Sequence, residues 1–403
     1  MLFAWVLVAI YVNFDGSELR KYGSRAQSPN LHYKSVHLTD LILFDFKNYS
    51  EAHFSFEGRV NCFLGKNGVG KTNILDAIHY LAFTKSSLLS SDAQNVRHGS
   101  SQFIVKGKFY NDDRITEVAC SYAPGIKKSI IVDGKETSRL ADHIGKYPIV
   151  LIAPNDIELI WGGGEMRRKF FDSLISQLNR NYLEQLMKYN HQLRQRNSLL
   201  RQADNGRVDR DLLDTYDHNL AETGKVIYQV RREFLNRLLP LFKKHYQFLS
   251  GSVDEEVDIT YKSDCNDADL IDLLKESYRR DLVLQRTCVG VHRDDFVFTL
   301  NGHELKRIGS QGQQKSFLIG LKLAEFQSIE IAKGLKPLLL LDDIFDKLDD
   351  DRIHKLVSLV VQGTFGQLFI TDARPDRSQG LLKEANVQAE LFQIEGGKLI
   401  EVL

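Results

Sequence analysis

The eight residues Gly65-Lys66-Asn67-Gly68-Val69-Gly70-Lys71-Thr72 constrain this chain more than any other stretch. They spell G-x-x-x-x-G-K-[ST] between an apolar run, Val60-Asn61-Cys62-Phe63-Leu64, and a segment, 73–81, with helical character. A strand that ends in a glycine-rich turn and opens a helix is one unit of a largely parallel sheet. In that setting the glycines let consecutive backbone N–H groups turn toward phosphate oxygens, and the helix N-terminus adds its partial positive charge. Lys71 then reaches the β and γ phosphates, and Thr72 offers a hydroxyl to Mg²⁺. The expected ligand is a nucleoside triphosphate. A chance match in a glycine-rich turn is the alternative, and the flanking strand and helix weigh against it.

Far downstream, Leu338-Leu339-Leu340-Leu341 ends in Asp342-Asp343. This reads as a buried strand that delivers two carboxylates at its C-terminal edge and lies beside the strand feeding the phosphate loop. Asp342 is expected to hold hydrated Mg²⁺, and Asp343 to sit where a base polarises the attacking water. Leucine-rich strands are common. Two acids that must be desolvated at the end of one are not.

Between these motifs lies Ser310-Gln311-Gly312-Gln313-Gln314-Lys315, which opens a helix over 316–325. A serine and a glycine at a helix start make a second anion-binding turn; alone it would be an ordinary N-cap. Placed before a two-acid strand it resembles the signature motif of the ABC-type ATPases, in which this helix of one subunit closes over the γ-phosphate held by the other. Ile344-Phe345-Asp346-Lys347-Leu348-Asp349 then stands in the place of the D-loop of that class.

Further segments narrow the resemblance. Phe46-Lys47-Asn48-Tyr49, the loop with its following Asn73, Ala153-Pro154-Asn155-Asp156, Gly290-Val291-His292-Arg293-Asp294-Asp295-Phe296 and S-x-G-Q-Q-K together look like the RecF family of bacterial recombination and repair ATPases, from about His37 onward. The resemblance implies an α/β fold: a P-loop ABC-type ATPase head, mixed β-sheet with flanking helices and an antiparallel β layer, carrying an inserted helical arm. It implies ATP and Mg²⁺ as cofactors, an ATP-dependent homodimer, and a weak DNA-stimulated ATPase. It also implies binding to DNA at gaps or single-strand/double-strand junctions, work with RecO and RecR in loading RecA, and a cytoplasmic location without a membrane partner. The residues carried over to the nucleotide are Gly65 to Asn73, Lys47, Asn48, Ser310, Gly312 and Gln313; Lys71 and Asp343 are expected to be catalytic, and Thr72 with Asp342 to hold the metal. Val291 stands where the family usually has proline. Thr371-Asp372 replaces the histidine of many ABC-type ATPases, which implies slow hydrolysis. Gln94 and Gln102 are both candidates for the Q-loop glutamine. A transporter nucleotide-binding subunit shares the loop, the signature and the acids, and is the competing function.

Bulk properties add limits. With 53 basic and 53 acidic residues the net charge is zero, so DNA binding must rest on a local patch. Cys62, Cys120, Cys265 and Cys288 form no C-x-x-C pair, which removes the usual zinc spacings and fits reduced thiols. The apolar start, residues 1–12, has no preceding lysine or arginine and falls short of the ~20 residues of a spanning helix. Residues 1–35 are expected to be an extension outside the fold.

Alternating runs around 36–44 and 53–56, flanking a turn at 48–50, and over 103–122 predict an antiparallel layer, with an Asp133-Gly134 hairpin turn. Apolar residues then advance by threes and fours from Phe171 to Leu193, and again from Leu213 to Leu238, around the turn signal Asp204-Asn205-Gly206. The expected division is a head built from 36–165 and 287–403 around an arm of two long antiparallel helices, 166–286. Arg167-Arg168-Lys169, Lys127-Lys128 and the series Lys188, Arg194, Arg196 and Arg201 make the basic patches expected to meet phosphates; a solvated charged face is the alternative for each.

Overall fold

The computed structural model describes residues 35–111, 114–137, 139–203, 208–344 and 348–402; the N-terminal extension to residue 34, the turn signal at 204–206 and residues 345–347 of the expected D-loop lie outside the described residues. The chain enters the fold with β1 (His37–Phe46), turns at Lys47 and Asn48, and returns as β2 (Tyr49–Ser55). The turn therefore comes one residue earlier than the pattern predicts, because Asp45 and Lys47 take left-handed backbone and Phe46 and Tyr49 pair across it. Next come β3 (Val60–Leu64), α1 (Lys71–Phe83), β4 (Phe103–Asn111), β5 (Arg114–Tyr122), β6 (Ser129–Val132) and β7 (Lys135–Glu136). Asp133 and Gly134, both at positive φ, close the predicted β6–β7 hairpin.

After β8 (Ile149–Ile152) the period changes to helical: α2 (Glu158–Trp161), α3 (Gly164–Leu178), α4 (Arg180–Arg201) and α5 (Arg210–Ser250). The first expected arm helix is thus two, broken at Asn179. Asn179 is extended there, and its side chain accepts the Tyr182 N–H at 2.9 Å as the N-cap of α4. The chain continues through β9 (Val257–Lys262), α6 (Leu270–Leu284), β10 (Asp295–Leu300), β11 (His303–Glu304), α7 (Leu305–Ile308) and α8 (Gln311–Lys333). It ends with β12 (Leu338–Asp342), α9 (Asp350–Val361), β13 (Leu368–Asp372), α10 (Pro375–Glu384), β14 (Glu390–Glu395) and β15 (Lys398–Val402).

Three sheets result. The antiparallel one runs β2-β1-β4-β5-β6-β7, and a small one runs β11-β10-β9. The mixed sheet runs β15-β14-β3-β13-β12-β8, parallel except for β15. The two-acid strand β12 is therefore not beside β3: β13 lies between them. Because the strands are parallel, Leu64, Ile152, Asp342 and Asp372 end at one edge, which is where ligands of such sheets bind.

The leucine run shows why β12 is apolar throughout. Leu338 and Leu340 face a core shared with the antiparallel sheet and α1, while Leu339 and Leu341 face the core of the helices. Both faces of the strand are covered, so no polar alternation survives. Between the two sheets Phe54, Phe56, Phe63, Phe369 and Phe392 pack mostly edge to face. On the other side, α5 and α8 approach so closely at Gly320 that a Cβ there would stand 3.1 Å from the Tyr246 backbone nitrogen. The β9–β10 pair crosses the expected arm boundary at 286/287, and the helical core draws on residues from both sides of it.

Candidate nucleotide site

The phosphate loop is held from four directions. Gly65, Gly68 and Gly70 have φ of 151°, 81° and 116°, conformations open to glycine. At Gly70 a Cβ would meet the Asn48 amide at 2.4 Å. Asn48 donates to the Val69 carbonyl at 3.0 Å and accepts from the Asn73 amide at 2.7 Å, and the Tyr49 hydroxyl donates to the Gly70 carbonyl at 3.1 Å. From the far end of the chain the Gly397 N–H also donates to the Val69 carbonyl, at 3.0 Å. Asn48 is thus a buttress of the loop. The Gly396-Gly397 pair is a local hairpin signal, but nothing local places that hairpin against the phosphate loop.

At the start of α1, the buried Lys71 ammonium donates to the carbonyls of Gly65 at 2.7 Å and Lys66 at 3.0 Å. Among the described residues it makes no ion pair. Thr72 donates its hydroxyl to Asp342 Oδ1 at 2.8 Å, and Thr371, from the intervening strand, donates to the same oxygen at 2.7 Å. The Asp343 N–H in turn donates to the Thr371 hydroxyl at 3.0 Å. Thr371, noticed in the sequence only for not being histidine, therefore fixes the whole acidic edge, and it bridges β3 and β12 in place of direct adjacency. Asp343 is held at φ 44°, an uncommon conformation for a residue with a Cβ, of the kind that collects at functional sites. The hydroxyl of Thr72 and the carboxylate of Asp342 form an oxygen-donor set suited to Mg²⁺.

Lys47 is placed one helical turn further along α1. Its ammonium lies 2.5 Å from Asp76 Oδ2, and Ser86 and Ser87 also donate to that carboxylate. Burial alone would raise the Asp76 carboxyl; Lys47 and the serine hydrogen bonds outweigh it and hold the group below the ordinary carboxylate range. The Lys47 N–H donates to the Asn95 carbonyl at 2.7 Å, which ties the 3₁₀ turn carrying the exposed Gln94 to this region, whereas Gln102 only precedes β4.

The signature turn has a separate set of neighbours. Ser310 caps α8: its hydroxyl accepts the Gln313 N–H at 3.3 Å, and the Gln313 side chain accepts the Ser310 N–H at 2.8 Å, a reciprocal capping box. The Gln313 amide also donates to Glu255 at 2.8 Å, so its polar atoms are used within the chain. Arg352 of α9 packs on Gly312, donates to Ser316 at 2.7 Å and pairs with Asp349. Among the described residues no hydrogen bond joins Ser310 or Gly312 to the phosphate loop of the same chain.

Residues 37–398 match the RecF/RecN/SMC N terminal domain family. The chain belongs to the RecF family. The DNA replication and repair protein RecF of Flavobacterium johnsoniae is 45% identical over 360 residues, 89% of this chain and 100% of its own length. That of Cytophaga hutchinsonii is 46% identical over 365 residues, 90% and 96% of the two chains. Among solved structures, the recombination mediator protein RecF-ATP in the RecFOR pathway aligns with a TM-score of 0.83 at 31% identity, covering 93% of this chain and 99% of that one. An Smc head domain from Pyrococcus furiosus, 15% identical with a TM-score of 0.53 over 91% and 96% of the two chains, shares the fold. The sequence-based fold class, an α/β ABC-type ATPase head carrying helices, stands.

The expected DNA patches fare less well. Arg196 is fully buried, its guanidinium 2.5 Å from Asp217 and 2.7 Å from Asp281, and it cannot reach a phosphate. Arg167 is buried in a two-point pair with Asp295, Arg168 donates to the Asp294 carbonyl, Lys169 pairs with Glu165, and Lys128 with Asp92. Arg167 and Arg196 are structural because acids on other elements meet them, which spacing along one helix does not show. Lys127, Lys169, Lys188, Arg194 and Arg201 remain exposed. The Gly290 to Phe296 segment is also structural: Arg231 of α5 bonds the Val291 carbonyl at 2.7 Å, Asp294 at 3.2 Å and Asp172 at 2.9 Å, and the partly buried His292, its pKa pushed down to about 4 by desolvation, bonds Tyr189.

Proposed function

We propose that this chain is an ATP-dependent recombination mediator that dimerises on ATP, binds DNA at gaps or single-strand/double-strand junctions and assists RecA loading with RecO and RecR. The observation that carries the nucleotide part is the arrangement of Lys71 and Asp342. They sit at one sheet edge, and each takes neutral partners in place of the other. The loop N–H groups and Lys71 bind and orient the triphosphate, while Thr72 and Asp342 hold Mg²⁺. When bound, the ion neutralises charge on the β and γ oxygens. Asp343, positioned through Thr371, takes the proton of the attacking water. The relatives named for DNA replication and repair, and the solved one in the RecFOR pathway, support the DNA and partner part of the reading.

The separation of the Ser310 turn from the phosphate loop within one chain supports a composite site, in which Ser310 and the first N–H groups of α8 meet the γ-phosphate held by Lys71 of a second copy. Hydrolysis is then weak and DNA-stimulated, since closure is required. The exposed Arg194 and Arg201 lie seven residues apart, on one stripe of α4, and supply the arm's part of the DNA surface. Among the described residues no helix is long and apolar enough to cross a membrane.

Mass measurement of the full chain tests the dimer. Ser310→Arg should leave ATP binding nearly intact and abolish the ATP-dependent dimer. Dimers that persist in the variant would overturn the composite site.

A further inference from the structure

The side chain of Trp161 stands out on the helical face of the head. Lone exposed apolar residues are ordinary. Trp161 differs because its side chain is tethered while the residue is 60% exposed. Its indole N–H donates to Gln314 Oε1 at 3.2 Å, and the buried Gln314 amide donates to the Gly309 carbonyl at 2.8 Å, the residue before Ser310. One side chain of α8 therefore ties the indole to the signature turn. Ile308, half exposed, precedes that same turn, on α7, which packs against the helix that ends in Trp161. The chain leaves Trp161 through Gly162-Gly163-Gly164, so no side chain follows to cover the ring until Glu165.

A tryptophan with its polar atom satisfied within the chain and its apolar body exposed has the properties of an interface anchor: large buried area at low entropic cost and no desolvated N–H. We propose that Trp161 is an anchor of the nucleotide-dependent dimer, burying its exposed face against the phosphate-loop side of a second copy of this chain. The occupant follows from continuity. If Ser310 closes over the partner's γ-phosphate, a ring bonded to the first turn of the same helix enters the same interface. This inference rests on the dimer reading above. It assigns to Trp161 no contact with the reacting atoms; its role is to hold the two copies together around them.

The test uses the full chain with Mg-ATP. Trp161→Ala should weaken the ATP-dependent dimer by roughly thirtyfold or more, the threshold of an interface hot spot, while ATP affinity of the monomer and the unfolding midpoint stay unchanged. Trp161→Phe, which keeps the apolar body and loses the bond to Gln314, should fall between. The chain has two tryptophans, Trp5 and Trp161. In a Trp5→Phe background the emission should therefore shift to the blue on ATP addition and stay unshifted with ADP. A wild-type dimer that Trp161→Ala leaves equally tight, or that forms without an emission shift, would overturn the anchor and spare the dimer. A wild-type chain that stays monomeric in ATP would overturn both.

Discussion

Two buried polar clusters in this molecule look alike in the sequence and are built on opposite rules. In the arm, Arg196 is enclosed between two acids of the same chain, Asp217 and Asp281, and Thr287 takes a further bond at 2.9 Å. At the sheet edge, Lys71 and Asp342 are equally desolvated, yet Lys71 takes carbonyls and Asp342 takes hydroxyls. The first cluster sets its charges directly against one another. The second keeps its cation and its anion apart, so that a polyanion and a metal can use both. Partner type, more than burial or charge, separates a structural cluster from one that binds.

The comparison can be broken most sharply at the edge. Asp343→Asn should slow ATP hydrolysis by roughly 10²–10⁴-fold, as for loss of a general base, and accumulate the ATP-bound dimer, with little change in thermal stability. Equal turnover by the variant would remove Asp343 from the chemistry. In the arm the reverse is expected. Arg196→Ala leaves two buried carboxylates without their cation and should cost about 3–5 kcal/mol of stability, read by denaturant unfolding. DNA affinity of the folded fraction should be unchanged. By contrast, Arg194→Glu with Arg201→Glu should leave stability alone and flatten the salt dependence of duplex binding by about 0.9 for each phosphate that is no longer neutralised. An unchanged slope would move the DNA path off α4.

The smallest effect sharpens the rule at a third cluster, where Lys322 lies 3.4 Å from both Asp156 and Glu325. Burial pushes the Glu325 carboxyl up to about 7, against the pull of Lys322. A folded acid that keeps its proton up to about 7, while the unfolded one loses it near its ordinary 4.5, contributes stability that is present at low pH and lost as pH rises through this window. Glu325→Gln should remove that downward slope relative to wild type; parallel profiles for the two proteins would show that Glu325 is ionised throughout.

Much of the site was legible because the phosphate loop and the leucine strand are local patterns: strand, turn and helix follow from neighbouring residues, and so does the capping box at Ser310. What was not legible is contact between distant segments. The place of β13 between β3 and β12, and with it the double role of Thr371, depends on sheet order. Arg196 reads as basic surface because its acids come from α5 and α6. Lys47 reads as a nucleotide ligand, and only the fold shows Asp76 beside it.

The bond from Gly397 to Val69 has a consequence for how this protein is made. The loop that the chain spells near its beginning is buttressed by residues translated roughly 300 positions later, a delay of tens of seconds at ribosomal rates of about 5–20 residues per second. A nascent chain can assemble the antiparallel sheet and α1 early, but its phosphate loop stays without that brace until the last hairpin leaves the exit tunnel. A chain cut short within β14 would carry every residue of the loop and still lack this support.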